Sequence, residues 1–379
     1  MPEMRIGIDA RSLSKKLTGI GYYLIEVIKE LKKLNVQLVL FSPSPLTVAA
    51  DVLEGIEVVS GSHTKAMGRL LWSEFQLPFL LKKHPTDIFW GPAHRFPVLL
   101  PRSQTAVLTI HDLVWRKVPY TMKLTTRLQE AFFMPLSLRR ADRILADSMS
   151  TLSDLIDYQP QLKSKIRHVP LGCRTGLKQP VHIKTQKHLW FDALSQKIGN
   201  KPYILFTGTI EPRKNLVKLL EAFNRLPVDL RQKYNLIIAG GKGWGKVNLE
   251  QEIARHDLKD QVILTAYLAD EALSYLYQHA YCLAMPSLYE GFGLPILEAH
   301  RCGVPVITSH ISSMPQVTGD GGILVDPYSV ASITDGLRQL LENQDLRQDL
   351  SARAIQNAKK YSWEQTARLV LDAFRACND

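Results

Sequence analysis

The chain lacks several features that would place it at once. No stretch approaches the ~18 unbroken apolar residues that a membrane span requires, so a soluble chain is expected. Its four cysteines, Cys173, Cys282, Cys302 and Cys377, lie far apart and form no Cys-x-x-Cys pair. That spacing suggests neither a zinc site nor a disulfide framework, and fits reduced thiols in a cytosol. The opening "MPEMRIGIDARS" enters a strand-like pattern directly, without a charged-then-apolar leader, so export is not expected. No Asp-x-Asp-like pair follows a predicted strand, which leaves no acidic cradle for a divalent metal. Basic residues do not interleave with aromatics, and no helix-turn-helix or RNP-like pattern appears, which argues against a nucleic-acid-binding protein.

What is present is a 379-residue chain with 45% apolar and 22% charged residues, a globular composition long enough for two domains. The net charge of +11 is uneven: residues 1–170 hold 23 Lys/Arg against 15 Asp/Glu. Basic clusters stand at Lys15–Lys16, Lys32–Lys33, Lys82–His84 and Arg139–Arg143. An excess of this size favours an anionic partner, whether nucleic acid, an acidic membrane face or a phosphorylated substrate.

Short apolar runs alternate with amphipathic segments almost throughout, the pattern of parallel strands joined by crossover helices in an α/β fold. In the first half, strands are predicted at Arg5–Asp9, Gln37–Phe41, Asp87–Trp90, Ala106–Ile110, Arg143–Ala146 and Arg167–Leu171. Between the first two, Tyr22, Leu24 or Ile25, Ile28 and Leu31 recur at helical spacing and make one βαβ unit. After Gly172 the pattern breaks into a polar, aperiodic stretch. Strands resume at Tyr203–Phe206, Leu236–Ala239, Val262–Thr265, Cys282–Met285, Val304–Thr308 and Gly322–Val325. The expected organisation is a Rossmann-like domain over 1–180, a linker over 181–200 and a second Rossmann-like domain over 201–360. A last helix over 361–379, opened by a Ser362-x-x-Gln365 capping box, carries Trp363, Ala367, Val370 and Phe374 on one stripe. It must cover a surface, and completing the first domain is the expectation.

In open parallel sheets, ligands bind outside the carboxyl ends of the strands. After "YILFTG", which ends on Gly208, comes "TIEPRKN", with Arg213 and Lys214 ahead of a helix that Asn215 can cap. Two cations and the orphan amides of a helix start suit phosphate oxygens. "GGKGWGKV", from Gly240 to Val247, has the Gly-x4-Gly-Lys spacing of a P-loop, but Val247 stands where a hydroxyl is needed, so its glycines read as turn geometry close to a ligand. In "YEGFGLPILEA", Glu290 and Glu298 flank Gly291 and Gly293, and Pro295 suits an early helical position, which predicts a helix start near Leu294. Glu290 then precedes the helix, Glu298 lies about one turn in, and the free amides of Phe292 to Leu294 and of Ile296 are expected to point between them. Carboxylates accept hydrogen bonds from vicinal hydroxyls while helix amides bind anions. A nucleotide-sugar, with hydroxyls at both ends and phosphates between, fits all three parts.

"PSLYEGFGLPILEAHRCGVPVIT" resembles the E-x(7)-E motif of retaining glycosyltransferases of the GT-B fold, family 4 (glycosyl transferases group 1), and "GTIEPRKN" is similar to that family's phosphate-binding turn. The resemblance implies two facing Rossmann-like domains with a deep cleft between them and no prosthetic group or metal. It implies that Glu298 binds the donor's ribose, that Glu290 faces the transferred sugar, and that Phe292, Gly293 and Leu294 contact sugar and diphosphate through their amides. Arg213 and Lys214 would hold the diphosphate as it leaves. In "TIHDLVW", His111 would face the sugar, with Asp112 orienting it or capping a turn. Gly19 and Gly21 of "SKKLTGIGYY" match the family's glycine loop except for the intervening Ile20, and Ser148 of "ADSMST" is a polar contact or a helix N-cap. Base contacts, largely through backbone, would fall near "LTAYLADEAL", with Tyr267 and Leu268, and Gly208 is a further possible donor contact. The implied reaction is retaining, metal-independent transfer of a hexose from a nucleotide-sugar to a glycan or lipid-diphosphate-linked glycan. The resemblance implies same-face attack within an ion pair, and family prevalence favours a UDP-hexose such as UDP-glucose over GDP-mannose. A phosphorylase or 2-epimerase keeps the fold but changes the chemistry. The basic first half would contact an anionic inner membrane face without a span.

Overall fold

The computed structural model describes residues 3–15, 17–174, 196–245 and 247–377. Most of the expected linker, residues 181–195, lies outside them. Two compact units emerge, each built on one wholly parallel sheet.

The first unit comprises Met1–Trp115, Leu124–Gly172 and Ser362–Asp379. Its strands are β1 (Met4–Asp9), β2 (Val36–Ser42), β3 (Glu57–Ser60), β4 (Ile88–Gly91), β5 (Thr105–Ile110), β6 (Arg143–Ala146) and β7 (Ile166–His168), ordered β3-β2-β1-β4-β5-β6-β7. Six of these follow from the apolar runs. β3 was invisible to that reading because it is an edge strand, exposed at Glu57, Val58 and Ser60. β7 stops short of the expected Leu171: Pro170, two residues past His168, has no N–H to continue a ladder. The helix Trp363–Arg375 packs in this unit, with Trp363 near Tyr23 (ring centroids 6.1 Å apart) and Phe374 edge-on to Trp90 at 5.6 Å. Ser362 Oγ accepts from the Gln365 amide at 3.1 Å, so the capping residue read from the sequence starts this helix.

The second unit comprises Arg116–Lys123 and Cys173–Tyr361. Its strands are β8 (Tyr203–Thr207), β9 (Asn235–Ala239), β10 (Val262–Thr265), β11 (Cys282–Met285), β12 (Val306–Ser309) and β13 (Gly322–Val325), ordered β10-β9-β8-β11-β12-β13. β12 begins at Val306 rather than Val304, because Pro305 cannot donate and only its carbonyl is used, by the Leu283 amide. The glycines of "GGKGWGKV" have a packing reason: a Cβ on Gly240 would lie 1.8 Å from the Gly208 carbonyl oxygen. They let the turns after β8 and β9 touch, the turn geometry read from the sequence.

Both sheets share one topological property. Strand order runs one way up to β1 and the other way from β4, and likewise reverses between β8 and β11. A crevice opens at the carboxyl ends of the strands at each such reversal, because successive crossovers leave on opposite faces.

Within the second unit, His300 is fully buried between two fixed partners. Its Nε2 donates to the Gly321 carbonyl at 3.1 Å, while Nδ1 accepts from the Asn357 amide at 3.1 Å. Adding a proton at Nδ1 would break the second bond, and burial holds the pKa down at about 4. The unfolded chain therefore takes up this proton first, so the contribution is complete above pH 6.5 and lost as pH falls from 6.5 toward 4. The loss should reach about 3 kcal/mol, from ~1.36 kcal/mol per pKa unit. Urea midpoints measured between pH 7 and 4.5 should fall, with a flatter slope in His300→Gln; parallel slopes would reject the assignment. Glu290 contributes little in this window, since its depressed pKa removes stability mainly below about pH 4.5.

Candidate active site

The loops after β8 and β11 meet at the reversal of the second sheet. After β8 a tight turn, Pro212–Lys214, precedes the helix Leu216–Asn224. Asn215 stands at the N-cap in the left-handed region (φ 61°), but its side chain makes no capping bond. Instead its Nδ2 donates to Pro286 O at 2.9 Å and Pro327 O at 2.7 Å, which corrects the expected cap: Asn215 ties three loops together.

The helix Leu294–Arg301 starts where the Gly-x-Pro spacing predicts. Gly293 alone supplies the special backbone (φ 102°); Gly291 is not in the left-handed region, so the hinge is one glycine rather than two. The amides of Phe292, Gly293 and Leu294 meet no protein acceptor among the described residues; Pro295 has no N–H, and Ile296 N donates to Gly293 O at 2.9 Å, so the amide expected to be free at Ile296 is already used. Ser312 and Ser313, after β12, hold this turn from below. Ser313 Oγ bonds the carbonyls of Glu290 at 2.9 Å and Phe292 at 2.8 Å, and Ser312 Oγ bonds the Glu290 carbonyl at 2.5 Å.

Glu290 is buried, and its two oxygens divide between the cations from the other loop: Oε2 to Arg213 Nη1 at 2.7 Å, Oε1 to Lys214 Nζ at 2.6 Å. Burial alone would raise its pKa, but Arg213 and then Lys214 outweigh this and hold it at about 2. Glu211, also buried, meets Arg213 Nε at 2.5 Å. Two carboxylates thus face two cations in a neutral network, and Glu290 stays ionised at any physiological pH. Burial, and then Arg213, lowers the Lys214 pKa. The sequence reading set the cations apart for phosphate and the carboxylate for hydroxyls; in this structure the three side chains first satisfy one another.

Glu298, one turn into its helix, accepts from the Tyr277 hydroxyl at 2.7 Å, and Tyr277 also meets Thr207 Oγ1 at 2.6 Å. Burial and the neighbouring Glu298 charge push the Tyr277 pKa far up, so it remains a hydroxyl donor. Arg174 Nε lies 3.6 Å from Glu298 Oε1 and its Nη1 is 3.2 Å from Asp270. Gly208 (φ 134°) directly follows β8, while exposed Tyr267 and half-buried Leu268 follow β10 at the same end of this sheet.

In the first unit, His111 directly follows β5 and is buried. Its Nδ1 lies 2.5 Å from Asp147 Oδ2, just past β6, and its Nε2 donates to Pro92 O at 2.7 Å. Asp112 does not orient it: Asp112 Oδ1 accepts the Val114 amide at 3.1 Å and caps a turn. Ser148 is an N-cap, accepting from Thr151 N at 3.0 Å at the start of Met149–Tyr158. Gly19 and Gly21 form the first turn of the helix Gly19–Leu31 rather than a loop.

Several site residues escaped the sequence reading. Asp147 stood in the quoted "ADSMST" directly after a predicted strand, a position that could have singled it out. Tyr277 sits on a helix face that reads as ordinary core. His94 gave no pattern signal, yet it adopts φ 63° and places its ring 5.3 Å from that of His111. Burial would lower its pKa, but Glu130 (3.6 Å away), Asp112 and Asp147 raise it to about 9. Among the described residues no cluster of His, Cys, Asp and Glu could hold a metal ion, and no helix is long and apolar enough to cross a membrane.

Comparison with known proteins places these features in a family. The model for glycosyl transferases group 1 matches residues 191–360, and that for glycosyltransferase family 4 matches 17–176. O-antigen chain mannosyltransferase B of Escherichia coli is 32% identical over 391 residues, covering 98% of this chain and 100% of the relative. Among solved structures, WaaG, a glycosyltransferase involved in lipopolysaccharide biosynthesis, aligns over 97% of this chain and 99% of its own, with TM-score 0.76 and 18% identity. Anabaena HepE, in complex with UDP and glucose, aligns over 98% of each chain with TM-score 0.75 and 18% identity, a likeness of fold. With paired parallel sheets, matches to both family models and a full-length relative, the chain belongs to the glycosyl transferases group 1 and is a glycosyltransferase of the GT-B fold.

Proposed function

We infer that the protein transfers mannose from a nucleotide-diphosphate sugar, GDP-mannose, to a glycan or lipid-linked glycan during bacterial polysaccharide assembly, with retention and without a metal. The sequence reading leaned to a UDP-hexose. The full-length likeness to an O-antigen chain mannosyltransferase moves the preference to mannose, whereas the UDP-bound neighbour is alike in fold alone.

The observation that carries the reading is the convergence of Arg213, Lys214 and Glu290 at the sheet reversal, next to unbonded amides at a glycine-started helix. An incoming diphosphate takes its place on the outward side of the two cations and on those amides. Glu290, fixed by the same cations, presents an ionised carboxylate to sugar hydroxyls and to positive charge developing at the anomeric carbon. A carboxyl held at about 2 does not serve as a general acid. Charge building on the leaving diphosphate is met by preorganised donors, which cost no reorganisation during the reaction. Glu298, oriented by Tyr277, accepts the ribose hydroxyls, and His111, oriented by Asp147, takes the sugar-contacting role that the family resemblance implies.

The same reading places the enzyme on the cytoplasmic face of a membrane. Exposed Met67, Leu71, Phe75 and Phe79 recur every fourth residue along one helical stretch, and Leu124, Leu128, Phe132 and Leu136 along another. The loop between them is bonded to both, Val98 N to Glu74 Oε2 at 2.6 Å and Phe96 N to Ser137 Oγ at 2.9 Å. Segments 65–84, 94–104 and 124–143 carry ten Lys/Arg against three Asp/Glu. Apolar stripes bordered by cations suit an anionic lipid surface.

Three outcomes are expected. Glu298→Ala should raise the KM for GDP-mannose about ten- to a hundredfold, as loss of hydrogen bonds worth ~1.5–3 kcal/mol implies; unchanged donor affinity would refute the ribose role. Asp147→Asn should lower kcat at least about tenfold while Asp112→Asn changes it little, since Asp147 holds the imidazole; equal effects would break the orienting assignment. Wild-type protein should co-sediment with phosphatidylglycerol vesicles, less at high salt and less after the double change Phe75→Ser, Phe132→Ser. Equal recovery with neutral vesicles, or none at all, would remove the membrane from the reading.

A further inference from the structure

The reversal of the first sheet, between β1 and β4, has its own charged group. Asp9 ends β1, and Arg11 stands two residues on; Gly91 ends β4, and Arg95 stands four residues on. Arg11 grips Asp9 with two nitrogens, Nε to Oδ1 at 2.9 Å and Nη2 to Oδ2 at 2.6 Å, and its Nη1 donates to Ser73 Oγ at 2.9 Å. Arg69, buried, donates from Nη2 to Arg11 O at 2.9 Å and Ser14 Oγ at 3.0 Å, and from Nη1 to Ser44 Oγ at 3.1 Å. Its partners are neutral, so no carboxylate is bonded to its charge. The half-buried Arg95 guanidinium lies 4.9 Å from the Phe133 ring centroid and bonds no protein acceptor among the described residues.

The carboxylates that face Arg95 are Asp9, Glu74 and Glu130. Asp9 is paired with Arg11, Glu74 accepts the Val98 amide, and Glu130 faces His94. Burial first, and then the neighbouring Arg11 charge, lowers the pKa of both Arg69 and Arg95, and Lys15 is lowered by burial and then by Arg69. Cations that depress one another at the carboxyl end of a parallel sheet are an unfilled demand for negative charge. Guanidinium forks match phosphate oxygens in shape as well as charge.

We propose that the crevice between β1 and β4, floored by the Arg11–Asp9 pair and flanked by Arg69 and Arg95, is a phosphate subsite for the acceptor, holding the phosphate or diphosphate through which the acceptor glycan is linked to its carrier. This deepens the glycosyl-transfer reading and rests on it for the word acceptor. Arg95 is the gripping residue, because its donors are unspent; Arg11 and Arg69 set the potential. The loop that carries it begins with the left-handed His94. Such a backbone persists in a non-glycine residue only where its surroundings enforce it.

The test uses the full-length enzyme with Arg95→Gln and Arg95→Lys. Two acceptors with the same glycan are compared, one on a short-chain lipid diphosphate and one on a neutral alkyl group. Arg95→Gln should raise the KM for the diphosphate acceptor at least tenfold, Arg95→Lys should raise it less, and neither should change the KM for the neutral acceptor or the donor. Calorimetry with inorganic pyrophosphate is run at saturating GDP, so that the Arg213–Lys214 site is filled; wild type should bind and Arg95→Gln should bind at least tenfold more weakly. An equal loss on both acceptors, or pyrophosphate binding untouched by Arg95→Gln, overturns the subsite. Displacement of pyrophosphate by acceptor-free phosphatidylglycerol vesicles would assign the arginines to lipid headgroups instead and also overturn it. If neither acceptor is glycosylated while pyrophosphate binding still depends on Arg95, the phosphate site stands and the glycosyl-transfer reading falls.

Discussion

The second unit is organised around one interaction, the buried carboxylate of Glu290 shared between Arg213 and Lys214. Each of these charges, buried alone, would cost several kcal/mol. Together with Glu211 they cancel, and they do so only if the loop after β8 and the loop after β11 are held at a fixed separation. Backbone bonds enforce the same registration: Leu288 N donates to Arg213 O at 2.8 Å, and Arg213 Nη1 to Tyr289 O at 3.0 Å. The glycine-started helix, its unbonded amides and Glu298 one turn further on all take their positions from that anchor. The serines after β12 close it from the remaining side.

A neutral network is also a preorganised one. Arg213 and Lys214 do not wait in water as mobile cations; they are fixed in low dielectric by a carboxylate that cannot be protonated in the physiological range. On the proposed reading a diphosphate then meets donors already aimed, and they are aimed by the carboxylate assigned to the sugar. The first unit repeats the logic with Asp9 and Arg11, but there the cations outnumber the paired carboxylate. The two sheet reversals therefore differ in pairing: in one, Arg213 and Lys214 are both bonded to a carboxylate, and in the other, Arg69 and Arg95 are bonded to none among the described residues.

Much of the fold was legible because parallel strands buried on both faces leave continuous apolar runs. Twelve of the thirteen strands announced themselves that way, and β3 did not, since an exposed edge needs no apolar run. Strand ends moved by two or three residues at Pro305 and Pro170, where the ladder lacks a donor. The start of the Leu294 helix was equally readable, from a glycine and a proline at fixed offsets. Asn215 and Asp112 were not: a side chain that can cap a helix or orient a histidine can as well bond elsewhere, and local sequence does not decide between them.

By itself the sequence determined the class of fold, the strand-end positions where polar residues gather, and the family, because these depend on periodicity and short-range spacing. Tertiary structure alone decided who pairs with whom. Asp147 rather than Asp112 holds His111, Tyr277 steadies Glu298, and Glu290 lies against two cations 76 and 77 residues away in the chain. The reason is physical: the energy of a buried charge is set by neighbours brought up by strand order, and strand order is written in no local stretch of the chain.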